Sequence, residues 1–178
     1  MEIPTLKELT LQGWDLSSPS FHTPLAGLVG KLEKLCLRGV TLGRAVGTEF
    51  LEKVPSLTHF VLEKGALNKA AFKKMFGIIS RCRNLEVLNL RGNRIGEDLK
   101  DTLTQMVLSS PSLKWLTLSD NQLFDSVTLQ DDLPIVLAAD PLLAALASHP
   151  NLKGVDLTHN GPYSMLIQDH LDSRFQKH

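Results

Sequence analysis

One phrase recurs six times along the chain: a leucine, two variable residues, an apolar residue, one variable residue, a leucine. The copies are Leu6/Leu9/Leu11, Leu32/Leu35/Leu37, Leu57/Phe60/Leu62, Leu85/Leu88/Leu90, Leu113/Leu116/Leu118 and Leu152/Val155/Leu157. Five are followed, five residues on, by a further apolar residue: Leu16, Leu42, Leu67, Ile95 and Leu123. The last two apolar positions of each phrase alternate with variable ones, which is the period of a strand with one covered face. Between phrases the period lengthens to that of a helix. Ala71, Phe72, Met75, Phe76 and Ile79 form one apolar stripe behind Asn68, a good N-cap residue. Leu99, Leu103, Met106 and Val107 repeat the stripe in the next unit, and Phe50, Leu51 and Val54 mark a helix in the second. Thr23-Pro24 and Asp140-Pro141 each offer an N-cap followed by proline at the first helical position.

From one first leucine to the next the spacings are 26, 25, 28, 28 and 39 residues. Repeats of such a period are one strand-plus-helix unit each, stacked so that neighbours share a core. The pattern therefore predicts an α/β fold: a right-handed solenoid, horseshoe-shaped, with six parallel strands on the concave face and helices on the convex face. It is read as a single domain over residues 1–178, with repeats starting near 6, 32, 57, 85, 113 and 152. Proline precedes four of the phrases, at Pro4, Pro55, Pro111 and Pro150, ending a helix and turning the chain into the strand. The fifth unit is too long by about eleven residues, placed at 125–139. That excess reads either as a binding loop or as an excursion folded onto the array through Leu133, Ile135, Val136 and Leu137. Residues 163–175 are expected to form a capping helix whose apolar side is Leu166, Ile167, Leu171 and Phe175. The first strand begins almost at Met1, which leaves open an edge that self-associates, a tolerated open end, or a piece of a longer solenoid.

Three units carry asparagine at the turn, Asn93, Asn121 and Asn160, where the first three have Trp14, Val40 and Gly65. With units of this length and a helix in each, the chain resembles the ribonuclease-inhibitor-like leucine-rich repeats. That subfamily includes ribonuclease inhibitor, the GTPase-activating protein for Ran and tropomodulin-type caps. The resemblance implies an intracellular scaffold that binds protein and does no chemistry of its own. It is specific for fold and unspecific for function, because this scaffold hosts many unrelated tasks.

Nineteen basic and nineteen acidic residues cancel. A nucleic-acid protein would show a large positive excess, and a membrane-surface protein a polybasic segment, so neither partner is expected. Two cysteines fall on different layers, Cys36 in a strand and Cys82 before one. Two strand spacings, roughly 10 Å, separate their units, beyond disulfide reach. Free thiols and an N-terminus without a basic or apolar leader point to a reducing, cytoplasmic compartment.

On the strands, four columns of variable residues are expected to face inward. The first is Glu8, Lys34, His59, Val87, Trp115 and Gly154; the second is Thr10, Cys36, Val61, Asn89, Thr117 and Asp156. The third is Gln12, Arg38, Glu63, Arg91, Ser119 and Thr158; the fourth is Gly13, Gly39, Lys64, Gly92, Asp120 and His159. An inward tryptophan is the composition of a binding hot spot. Trp115 with Val87, Asn89, His59, Val61, Thr117, Arg38, Glu63, Arg91 and Asp120 makes the candidate site, unless the inserted loop covers the indole. Arg38, Glu63 and Arg91 also read as a ladder of cross-strand charge pairs. No phosphate-cradling glycine loop and no metal-ligand spacing occur, so no cofactor is expected. Cys36 and His59 on adjacent strands are a nucleophile–base pair in type only. No carboxylate orients the histidine, and an open groove provides no oxyanion hole. The expected function is non-enzymatic: a protein-protein interaction scaffold. Alternatives are a regulator of a partner enzyme, such as a GTPase-activating array, or a structural segment of a larger solenoid.

Overall fold

The computed structural model of the chain describes residues 6–18, 20, 27, 30–42, 49–127 and 139–176. The Thr23-Pro24 helix start and residues 128–138 of the insertion lie outside these. Six strands form one sheet in chain order, every neighbouring pair parallel. They are β1 (Glu8–Gln12), β2 (Lys34–Arg38), β3 (His59–Glu63), β4 (Val87–Asn89), β5 (Trp115–Thr117) and β6 (Gly154–Asp156). Four α-helices are described: α1 (Lys69–Ile79), α2 (Lys100–Leu108), α3 (Pro141–Ser148) and α4 (Ser164–Phe175). The whole is a right-handed horseshoe of leucine-rich-repeat type, with strands on one face and helices on the other.

The phrase leucines make the core. Leu35, Leu37, Phe60, Leu62, Leu88, Leu90, Leu116 and Leu118 are all buried between sheet and helices. The following apolar residues are buried as well, Leu67 only in part. The predicted stripe of α1 is buried, and Asn68 caps that helix by accepting from the Ala71 N–H. Asp140 caps α3 through the N–H groups of Leu142 and Leu143, while its other oxygen takes the Lys100 ammonium. The same ammonium lies 4.4 Å from the centre of the Phe124 ring. In this way α2, α3 and the start of the insertion are fastened at one point. The insertion is also held by Glu97, which accepts from both the N–H and the hydroxyl of Ser126.

Three expectations are corrected. The helix expected in the second unit from Phe50, Leu51 and Val54 is a short 3₁₀ helix, Glu49–Lys53, which ends before Val54. This unit is the shortest, and Pro55 excludes Val54 from helical geometry, so only the tighter turn fits. On α4 the buried side is Ile167, Gln168 and Leu171; Leu166 is 47% exposed and points outward with Met165. The reason is Gln168. Its amide donates to the Val155 carbonyl (2.7 Å) and accepts from the Leu157 N–H (2.7 Å), the outward backbone groups of the last strand. A polar residue thus occupies the inner helix face, and Leu166 rotates away. Finally, the fourth inward column is not strand. All six of its residues have left-handed backbone, with φ from 51° to 71°, because the chain leaves the sheet there.

That turn is held differently in the two halves. In the later units a buried asparagine does it: Asn93 Oδ1 accepts from Gly65 N–H (2.8 Å), Asn121 Oδ1 from Asn93 N–H (3.0 Å) and Asn160 Oδ1 from Asn121 N–H (3.0 Å). Each Nδ2 donates to carbonyls of its own and the preceding turn. In the early units backbone replaces side chain. Asp15 and Thr41 form a parallel bridge, with Leu16 N–H donating to Thr41 O and Thr41 N–H to Trp14 O. Val40 can therefore be apolar and buried at the asparagine position.

Cys82 is 3% exposed, its thiol near the Val54 carbonyl (3.5 Å), and burial pushes it above the usual thiol pKa. Cys36 is half-buried on the inner sheet face. A chromogenic disulfide reagent should therefore titrate one thiol in the folded protein and two in denaturant. Equal rates for both cysteines under native conditions would contradict this packing.

Candidate functional site

The strand registers place the expected columns side by side. Glu8, Lys34, His59, Val87, Trp115 and Gly154 are successive cross-strand partners, as are Thr10, Cys36, Val61, Asn89, Thr117 and Asp156. Val87, Val61, Asn89, Thr117 and His59 are half-buried, as residues on a solvent-facing sheet should be. Among the described residues nothing covers Trp115, which is 52% exposed. Its indole rests on the next strand: a Cβ at Gly154 would lie 2.6 Å from Cζ3 and 2.8 Å from Cε3 of the ring. The glycine thus leaves the space the indole occupies, and the rest of the ring is in solvent.

The charges on this face pair across strands. Lys34 reaches Glu8 (2.6 Å), and Arg38 Nε reaches Glu63 (3.1 Å). The ladder Arg38–Glu63–Arg91 does not continue as expected. The other oxygen of Glu63 accepts from Asn89 Nδ2 (2.7 Å), and Arg91 turns instead to Asp120 (3.0 Å). Asn89 Oδ1 in turn accepts from the Arg91 N–H, which fixes that side chain's root. Asp120 can receive the guanidinium because its left-handed turn swings it back over the sheet end. Its second oxygen lies 3.9 Å from His159 Nδ1. At the other end of the strands Lys114 binds Glu86 (2.8 Å) and holds its carboxyl below the ordinary value. Burial alone would raise Asp156, but the N–H and hydroxyl of Thr158 outweigh it and leave the group lowered. Ser119, expected in the third column, is buried beneath the turn.

His59 Nδ1 lies 2.9 Å from the Thr58 hydroxyl, which donates to the Glu33 carbonyl. The ring is oriented by a neutral hydroxyl and not by a carboxylate, and its cross-strand partner is Lys34, not Cys36. Among the described residues no group of three or more His, Cys, Asp or Glu side chains could hold a metal ion. No helix there is long and apolar enough to cross a membrane.

Sequence reasoning missed the Gln168 contact with β6. The signal was a lone polar residue between Ile167 and Leu171 on the helix face nearest the last strand. It also missed that Gly154 beds the indole, which the small residue beside Trp115 in the same column signals.

The family model described as Leucine Rich Repeat matches residues 84–106, the unit carrying β4 and Asn93. No curated protein matches the chain. A solved structure, the tropomodulin C-terminal domain of Caenorhabditis elegans, is similar at 10% identity with a TM-score of 0.47. The similarity covers 97% of this chain and 85% of that one.

Proposed function

We propose that this chain is a protein-binding scaffold of the ribonuclease-inhibitor-like kind, holding a macromolecular partner against its inner sheet face. The observation that carries this is the half-exposed Trp115, bedded on Gly154 beside Val87, on a sheet face that no layer covers among the described residues. Around it Val61, Asn89, Thr117 and His59 supply contact, and Arg38, Glu63, Arg91 and Asp120 the polar rim. A rigid aromatic with a polar surround is how interfaces concentrate their affinity. The buried asparagine turns and the α-helices of the longer units support the subfamily reading. Two free thiols support an intracellular, cytoplasmic setting.

The test is crosslinking and affinity capture from the native source, with wild type and Trp115→Ala compared side by side. Removing a central tryptophan anchor should weaken capture by about 30-fold, since such anchors contribute about 2 kcal/mol or more. The melting temperature should hardly change, because the indole is half in solvent. Equal capture by both proteins would remove the inner face from consideration.

A further inference from the structure

Beside the inner face, at the carboxyl ends of the strands, the turns of the middle units enclose an open cleft of about 930 Å³. Its walls include Thr41, Lys64, Leu67, Asn68, Arg94 and Asp120. The charge here is not balanced as it is on the sheet. Glu8, Glu63 and Asp120 have Lys34, Arg38 and Arg91 as partners. On the neighbouring segments Asp98 binds Lys69, and Glu97 binds Ser126. Lys64 and Arg94 join none of the ion pairs among the described residues. Both are exposed, and both stand on left-handed turns (φ 51° and 52°) that lift them from the strand line. The lysine stem crosses the next unit, where a Cβ at Gly92 would lie 3.1 Å from Lys64 Cγ. Two cations on consecutive units therefore share one concave wall, and the nearby carboxylates are already taken.

We propose that this cleft binds the carboxylate side chains of an acidic, extended peptide segment belonging to the partner held on the inner face. The inference rests on the scaffold reading and names the partner's chemistry. Lys64 and Arg94 would take carboxylates in the cleft, while Trp115 anchors an apolar residue on the sheet. An extended chain suits the site, because the cations stand on successive turns and an extended peptide offers side chains at a regular rise. The attraction is electrostatic and partly solvated, so it serves recognition and orientation, and salt weakens it.

The probe is fluorescein-labelled hexaglutamate, followed by anisotropy at about 20 mM salt, where the Debye length exceeds 10 Å. Hexalysine and a hexathymidylate oligonucleotide are measured in parallel. Wild type should bind hexaglutamate and not hexalysine. The double variant Lys64→Glu/Arg94→Glu should bind it at least tenfold more weakly, with an unchanged circular dichroism spectrum. Lys64→Arg/Arg94→Lys should retain binding. Absence of hexaglutamate binding by wild type, equal binding by the charge-reversed variant, or preference for the oligonucleotide would each overturn the proposal. The two site assignments fail separately. Capture of the native partner that depends on Trp115, with hexaglutamate indifferent to Lys64 and Arg94, removes the cleft alone. The opposite pattern removes the indole anchor and keeps the cleft.

Discussion

Asn121→Ala is expected to lower the unfolding free energy by about 3–5 kcal/mol, read as a shift of the denaturation midpoint. Asn121 is fully buried. Its Oδ1 accepts from the N–H groups of Asn93 (3.0 Å) and Ile95 (3.4 Å). Its Nδ2 donates to the carbonyls of Leu90 (2.8 Å), Leu118 (2.9 Å) and Ser119 (3.2 Å). Alanine removes every one of these partners from backbone that stays buried. An unsatisfied buried polar group costs about 1–3 kcal/mol, and at least two N–H groups would be left so. Leucine at the same position should do no better, since it restores volume and no hydrogen bond. Aspartate keeps the acceptor, loses both donors and buries a charge, so it should be at least as damaging. A midpoint shift below about 1 kcal/mol for Asn121→Ala would mean that the turn is held chiefly by its backbone. That is the arrangement of the early units, where Asp15 and Thr41 bridge and Val40 fills the site.

Gly161→Ala is expected to detach the end of the array at a cost of about 3 kcal/mol or more. Gly161 has φ +136°, a region that residues with a Cβ rarely enter. An added Cβ would also lie 2.4 Å from the Phe124 carbonyl oxygen and 2.6 Å from its carbon. Those are backbone atoms, and the Phe124 N–H is itself tied to Asn160 O (2.7 Å). Relief must therefore come from separating the last unit from the root of the insertion. Gly13 provides the comparison: its φ is +69°, but nothing lies within 4 Å of its Cβ position. Alanine there should cost only about 1 kcal/mol, from backbone strain alone. Because stacked repeats stabilise one another mainly as neighbours, amide exchange in Gly161→Ala should rise over β6 and α4 and stay low in β3 and β4. Uniform acceleration across all strands would show instead that the array unfolds as one unit.

Most of the frame was legible because one spacing rule reports two things together. The phrase leucines mark which strand face is covered, and their alignment from copy to copy sets the register of every strand pair. Trp115 could be placed beside Val87 and Gly154 on that basis alone. What escaped was decided by directions that spacing does not encode. Arg91 and Glu63 share a column, yet Asn89 supplies the second contact to Glu63 and the turn at Asp120 offers the guanidinium a nearer carboxylate. Leu166 looks apolar and core-facing in a helical projection, but Gln168 sets the rotation of α4 by its contact with the last strand. The second unit's helix shrank to a 3₁₀ turn because three residues fewer than in the next unit leave no room before Pro55. Lys64 belongs to the fourth inward column and Arg94 to none, and only the folded turns show that the carboxylates around them are engaged.

The Gln168 amide has a meaning for how copies of this chain behave when crowded. A sheet normally advertises its last strand through unsatisfied backbone groups, and those groups are templates for fibre growth. At β6 one side-chain amide fills the Val155 carbonyl and the N–H of the following Leu157, as an eventual seventh strand would. Hydrophobic contact through Met165 and Leu166 could still make neighbours adhere at that end. Such clusters would disperse with mild detergent and lack the cross-strand hydrogen bonds that make β-fibrils persistent.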